Sequence, residues 1–104
     1  MTKVAIFCAA GMSTSFLVSS IRKAAAKRGI ELEIDAFPES QVKKFLGKVD
    51  VILLGPQIAY RKDAVEEMYR PYNTPVAGVP LKMYGTMDGD GVIDLVLQSL
   101  KKED

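Results

Sequence analysis

Val4-Ala5-Ile6-Phe7-Cys8-Ala9-Ala10-Gly11-Met12-Ser13-Thr14-Ser15 is an apolar run that ends on the only cysteine of the chain and passes into small and hydroxyl-bearing residues. The residues before Cys8 have the length and the β-branched and aromatic character of a buried strand, and a helical pattern begins at Ser13. Cys8 therefore falls at a strand-to-helix turn. In an α/β fold such a turn lies at the carboxyl edge of the sheet, where ligands bind.

Outward from that stretch, Lys3 to Phe7 forms the first predicted strand. Phe16, Leu17, Ile21, Ala24 and Ala25 then recur at near-helical spacing, with Arg22, Lys23, Lys27 and Arg28 off the stripe. Gly29 stops this helix, and Lys27 and Arg28 suit its carboxyl-terminal dipole. Glu31 to Phe37 alternates polar and apolar residues, the pattern of a half-buried edge strand, and Pro38 closes it. Ser40 to Leu46 is expected as a short helix capped by Ser40 and ended by Gly47.

Val49 to Leu54 contains a nearly continuous apolar run, Val51-Ile52-Leu53-Leu54, cut off by Gly55-Pro56, as in a central parallel strand buried on both faces. A helix is expected over Gln57 to Tyr69, packing through Ile58, Val65, Met68 and Tyr69. Val76 to Val79, bracketed by Pro75 and Pro80, is a fourth strand, and Leu81 to Met87 is irregular or one short helical turn. Gly91 to Leu100 forms a last helix behind Asp90 as its cap, followed by the charged tail 101–104. Four strands alternating with helices through right-handed crossovers predict a single α/β domain, 1–104. Its four-stranded parallel sheet runs in the order 2-1-3-4 with helices on both faces. The order reverses between strands one and three, which sets the loop after Phe7 beside the loop after Leu54.

Composition narrows the function. Fourteen lysines and arginines against 13 carboxylates leave a net charge of +1 with no basic stripe interleaved with aromatics, so no nucleic-acid partner is expected. No apolar run approaches the roughly 18 residues of a membrane span. One cysteine forms no internal disulfide and fits a reducing cytoplasm. With no histidine, the chain has no imidazole base, metal ligand or phosphoryl carrier of its own. Neither a cofactor motif nor a metal site is expected: Asp88-Gly89-Asp90-Gly91 begins like a calcium loop, but later ligand positions are apolar and the twelfth is Ser99.

What remains is the cysteine loop. The thiolate is the reactive form of cysteine, and a helix amino terminus with its unpaired N–H groups favours a thiolate and receives anions. Ala9, Ala10, Gly11 and Met12 let the backbone close around a tetrahedral oxyanion, while Ser13, Thr14 and Ser15 add hydroxyl donors. Cysteine phosphatases place an arginine six residues after the nucleophile; Thr14 stands there in this chain. Arg22 lies two turns into the helix and is expected to point elsewhere. Hydrolysis would be poorly assisted, and a phosphocysteine would persist until an acceptor arrives. A redox role lacks a second, resolving cysteine. Gln57, just past the Gly55-Pro56 turn, is placed to offer an amide to the site. Tyr60 reads chiefly as a packing residue, and Tyr84 either supports the site or covers the core edge. Met12 and Phe16 are either interface anchors or, more so for Phe16, part of the helical packing stripe.

Cys8 to Ser15, Ala36-Phe37-Pro38-Glu39, Val51 to Tyr60 and the Tyr84-Gly85 to Asp88-Gly89 region together resemble the enzyme IIB subunit of the bacterial phosphoenolpyruvate-dependent sugar phosphotransferase system, in its lactose/cellobiose/chitobiose branch. The resemblance implies a cytoplasmic phosphotransferase component, with an architecture similar to low-molecular-weight tyrosine phosphatases. Cys8 would accept a phosphoryl group from a phosphohistidine of the IIA subunit and pass it to a sugar, a β-linked disaccharide, held by the membrane IIC subunit. The alternative is a low-molecular-weight-type cysteine phosphatase.

Overall fold

The computed structural model describes residues 1–9 and 11–101, with the backbone alone at 11–14. β1 (Thr2–Cys8), β2 (Leu32–Pro38), β3 (Val51–Leu54) and β4 (Val76–Gly78) form one sheet in the order β2-β1-β3-β4, every pair parallel. The helices are α1 (Gly11–Lys27), α2 (Lys62–Tyr69), α3 (Leu81–Gly85) and α4 (Gly89–Lys101). Side chains alternate across the strands, so each face of the sheet carries its own core. Val4, Ile6, Val51 and Leu53 pack against Leu17, Val18 and Ile21 of α1 and Val92, Ile93 and Val96 of α4. Ala5, Phe7, Ile52 and Leu54 pack on the other face against Val42, Ile58, Val65 and Tyr69. β3 is buried along its whole length, as its unbroken apolar run requires.

The end of α1 shows how local chemistry sets a boundary. Gly29 has φ +68°, the Gly29 amide donates to Ala26 O at 3.3 Å, and the Ile30 amide donates to Ala25 O at 2.9 Å. That double closure satisfies the last carbonyls of the helix, and its left-handed residue favours glycine.

Several expectations are corrected. α1 starts at Gly11 rather than Ser13. Phe16 is outside the packing stripe and 66% exposed, and Val18 takes the place assigned to it. Glu39–Phe45 is a 3-10 segment with no side-chain cap, so Ser40 caps nothing there. The helix expected from Gln57 is two pieces. Pro56–Arg61 is 3-10, interrupted by non-helical Ile58 (φ −123°, ψ 19°), and α2 follows. Asp88, not Asp90, caps α4: its Oδ1 accepts from the Gly91 amide at 2.9 Å. Of the charged tail, Lys101 closes α4, and 102–104 lie outside the described residues.

Candidate functional site

Cys8 is the last residue of β1 and is 1% exposed. Two residues separate it from Gly11, the first of α1, so the strand delivers the thiol to the foot of a 17-residue helix whose first N–H groups have no intrahelical acceptor. Ala9 and Ser15 are exposed. Ala10 lies outside the described residues, as do the side chains of Gly11, Met12, Ser13 and Thr14, so the hydroxyl donors and Met12 are placed only by their backbone.

On the β3 side the site closes tightly. The Gly55 amide donates to Phe7 O at 2.8 Å, carrying the ladder one residue past β3 and setting Gly55 beside Cys8. A Cβ on Gly55 would lie 2.9 Å from Gln57 Oε1 and 3.2 Å from Cys8 Cβ. The Gln57 side chain therefore folds back over Gly55 toward Cys8, in space that only the absence of a Cβ leaves open. The structure thus brings Gln57 to the cysteine. The role of Gly55 was missed, although Gly-Pro after a buried strand marks a tight exit.

Tyr60 and Tyr84 part company. Tyr60, expected to pack, is 80% exposed on the 3-10 segment. Tyr84 sits in α3, the short helical turn offered for 81–87, and is 7% exposed, packed in the α1/α4 core. Arg22 points away from the loop as expected, toward Asp35 Oδ1 at 2.5 Å and Ile34 O at 2.7 Å. An open groove of about 1000 Å³ lies elsewhere, between the second half of α1 and the start of α4 (Ser20, Lys23, Lys27, Met87, Asp88). None of the candidate site residues lines it. Among the described residues no group of three or more histidines, cysteines or carboxylates is placed to hold a metal, and no helix is long and apolar enough to cross a membrane.

The described residues form a parallel α/β domain whose one cysteine ends the first strand, just ahead of the first helix. Residues 3–95 match the family model described as "PTS system, Lactose/Cellobiose specific IIB subunit". The chain belongs to that family and is a phosphoryl-transfer enzyme component of the phosphotransferase system. It is 41% identical over 95 residues to the galactose-specific EIIB component of Lactococcus lactis subsp. cremoris, covering 86% of this chain and 88% of that protein. The oligo-beta-mannoside-specific EIIB component of Bacillus subtilis is 35% identical over 89 residues, 86% of each chain. The solution structure of the cellobiose-specific IIB component of Borrelia burgdorferi superposes with a TM-score of 0.80 at 33% identity, covering 99% of this chain and 94% of that one. The lactose-specific IIB domain of Streptococcus pneumoniae shares the fold, with a TM-score of 0.84 at 16% identity over 94% of this chain and 96% of that one.

Proposed function

We propose that Cys8 is the phosphoryl carrier of this subunit, working on the cytoplasmic face of the membrane between a IIA donor and a IIC acceptor. The observation that carries this is the position of Cys8 at the carboxyl end of β1, immediately before the amino terminus of α1. In the first step the Cys8 sulfur attacks the phosphorus of a IIA phosphohistidine in line. The S–P bond forms, the N–P bond breaks, and its electron pair returns to the imidazole. The backbone N–H groups at 9–15 and the dipole of α1 hold the phosphoryl oxygens, and the Gln57 amide adds a neutral donor that steadies charge without driving hydrolysis. In the second step a hydroxyl oxygen of the sugar on IIC bonds to the same phosphorus, the S–P bond breaks with its electron pair on the Cys8 sulfur, and the hydroxyl proton passes to solvent.

The sugar class is a β-linked disaccharide or a related glycoside; the relatives' names include galactose, cellobiose and oligo-β-mannoside specificities. Phe16 on α1 and Tyr60 on the 3-10 segment after β3, both large, apolar and exposed, are assigned to the rim that a donor or acceptor must press against.

The test is intact mass after mixing the chain with phosphoenolpyruvate, the general phosphotransferase proteins and a IIA subunit. One added phosphate is expected, dependent on IIA and absent from Cys8→Ser. Label retained in Cys8→Ser would refute the assignment. No adduct, together with sustained turnover of p-nitrophenyl phosphate, would favour a cysteine phosphatase.

A further inference from the structure

β1 lies between β2 and β3, and the chain leaving each of those neighbours carries one half of an ion pair. Pro38 is the Cα partner of Cys8 on β2, and Glu39 follows it directly. On the β3 side, the 3-10 segment that begins one residue past Gly55 ends at Arg61. Arg61 Nη1 meets Glu39 Oε2 at 2.5 Å, with the two side chains 31% and 29% exposed. Among the described residues it is the least exposed ion pair. The two parent strands are separated by β1, two strand spacings or roughly 10 Å. The pair therefore joins the segments leaving the two strands that flank β1, at the carboxyl end of the sheet where β1 ends on Cys8.

A phosphocysteine would place close to two negative charges at that end, and a guanidinium is the group that best holds phosphoryl oxygens during hydrolysis. The chain has four arginines. Arg22 is committed to Asp35. Arg28 and Arg70 follow the carboxyl ends of α1 and α2, which run back along the sheet to its opposite edge. Of the four, Arg61 alone ends a segment that leaves the carboxyl edge of the sheet, the edge on which Cys8 lies, and Glu39 holds it.

We propose that Glu39 withholds the Arg61 guanidinium from the phosphoryl group and so lengthens the life of the phosphocysteine, a positioning role that rests on Cys8 being the carrier. In the reaction it restrains, a water oxygen bonds to phosphorus and the S–P bond breaks with its electron pair on sulfur. Inorganic phosphate leaves and one proton passes to solvent. A guanidinium on the phosphoryl oxygens would favour that step, whereas one neutralised by a carboxylate does not.

The experiment is the half-life of the phosphorylated chain, formed with phosphoenolpyruvate, the general proteins and a IIA subunit, freed of donors and followed by intact mass. Glu39→Gln is expected to shorten the half-life roughly tenfold, below the 10²–10³ effect of a fully preorganised donor. Arg61→Gln is expected to decay like the unaltered chain, and the Glu39→Gln/Arg61→Gln double variant like Arg61→Gln. An unchanged half-life in Glu39→Gln overturns the proposal. Equal shortening in both single variants overturns it in favour of a structural latch, and a double variant as short-lived as Glu39→Gln overturns it in favour of the Glu39 charge alone. In each of those cases the carrier assignment stands. Absence of any adduct on the unaltered chain overturns both.

Discussion

The room around Cys8 depends on a missing methyl group at Gly55. Alanine there would place its Cβ 2.9 Å from Gln57 Oε1, closer than real Cβ atoms come, and 3.2 Å from Cys8 Cβ, a tight contact to which the neighbour must give. Gly55→Ala is expected to expel the Gln57 side chain and slow phosphoryl acceptance, with a stability loss of about 1–3 kcal/mol from overpacking. Gln57→Ala should slow acceptance without that loss. Rates of adduct formation beside denaturant midpoints separate the two.

Tyr69 makes a second residue-scale case. It is fully buried on the α2 face, its hydroxyl donates to Val42 O, and burial raises its pKa above 10.0, opposed by a backbone hydrogen bond at Phe45. Below the unfolded value both states keep the proton and this group adds no pH dependence. Above it the unfolded chain ionises first, so stability falls as pH rises. Denaturant midpoints should drop from about pH 9 to about pH 11, and less steeply in Tyr69→Phe. That variant should itself lose about 1 kcal/mol, since the Val42 carbonyl is left without its donor.

At the scale of elements, the packing of α1 on α4 rests on the Asp88-Gly89 corner. A Cβ on Gly89 would lie 2.6 Å from the Ser20 carbonyl carbon and 2.9 Å from the Ile21 nitrogen, both rigid backbone atoms of α1. Gly89→Ala should force the helices apart and cost about 1–3 kcal/mol. Asp88→Ala removes the cap on the Gly91 amide and should cost about 1 kcal/mol. Asp90→Ala, read on sequence as the cap, should cost less: Asp90 faces solvent and its pairing with Arg28 spans 3.6 Å. Urea melts of the three variants order these effects. Asp88 and Asp90 carry the same local signal, and nothing within Asp-Gly-Asp-Gly distinguishes them. The contact that requires glycine at the first helical position comes from Ser20, 69 residues away in sequence.

For the molecule as a whole, buried apolar residues hold the sheet, whereas the rim proposed for partner proteins draws on exposed ones. Phe16 at 66% and Tyr60 at 80% exposure contribute little to the core. Phe16→Ser/Tyr60→Ser is expected to leave the unfolding midpoint within about 0.5 kcal/mol of the parent, as for other surface changes. Transfer from IIA should weaken through a higher KM. Steady-state labelling at varied IIA concentration reads this, and an unchanged KM would remove both residues from the rim.

The fold was legible because periodicity reports burial directly: Val51–Leu54 had to be covered on both faces, Glu31 to Phe37 on one, and α/β alternation leaves few topologies. Cys8 was legible because a reactive residue type appears once, at a boundary where two periods meet. Exposure at Phe16 and Tyr60 was not legible, since helical spacing says which residues share a face and only the neighbouring elements decide whether that face is covered. Nor was the convergence of Gly55, Gln57 and Cys8, or the meeting of Glu39 with Arg61. Those contacts join segments separated in the chain, and their partners are chosen by strand order and register rather than by any local pattern. The sequence by itself determined the strands, their order and the position of the thiol, because local periodicity and chain connectivity encode them. The tertiary structure alone decided which side chains surround that thiol, because distance through space is set only when the whole sheet has closed.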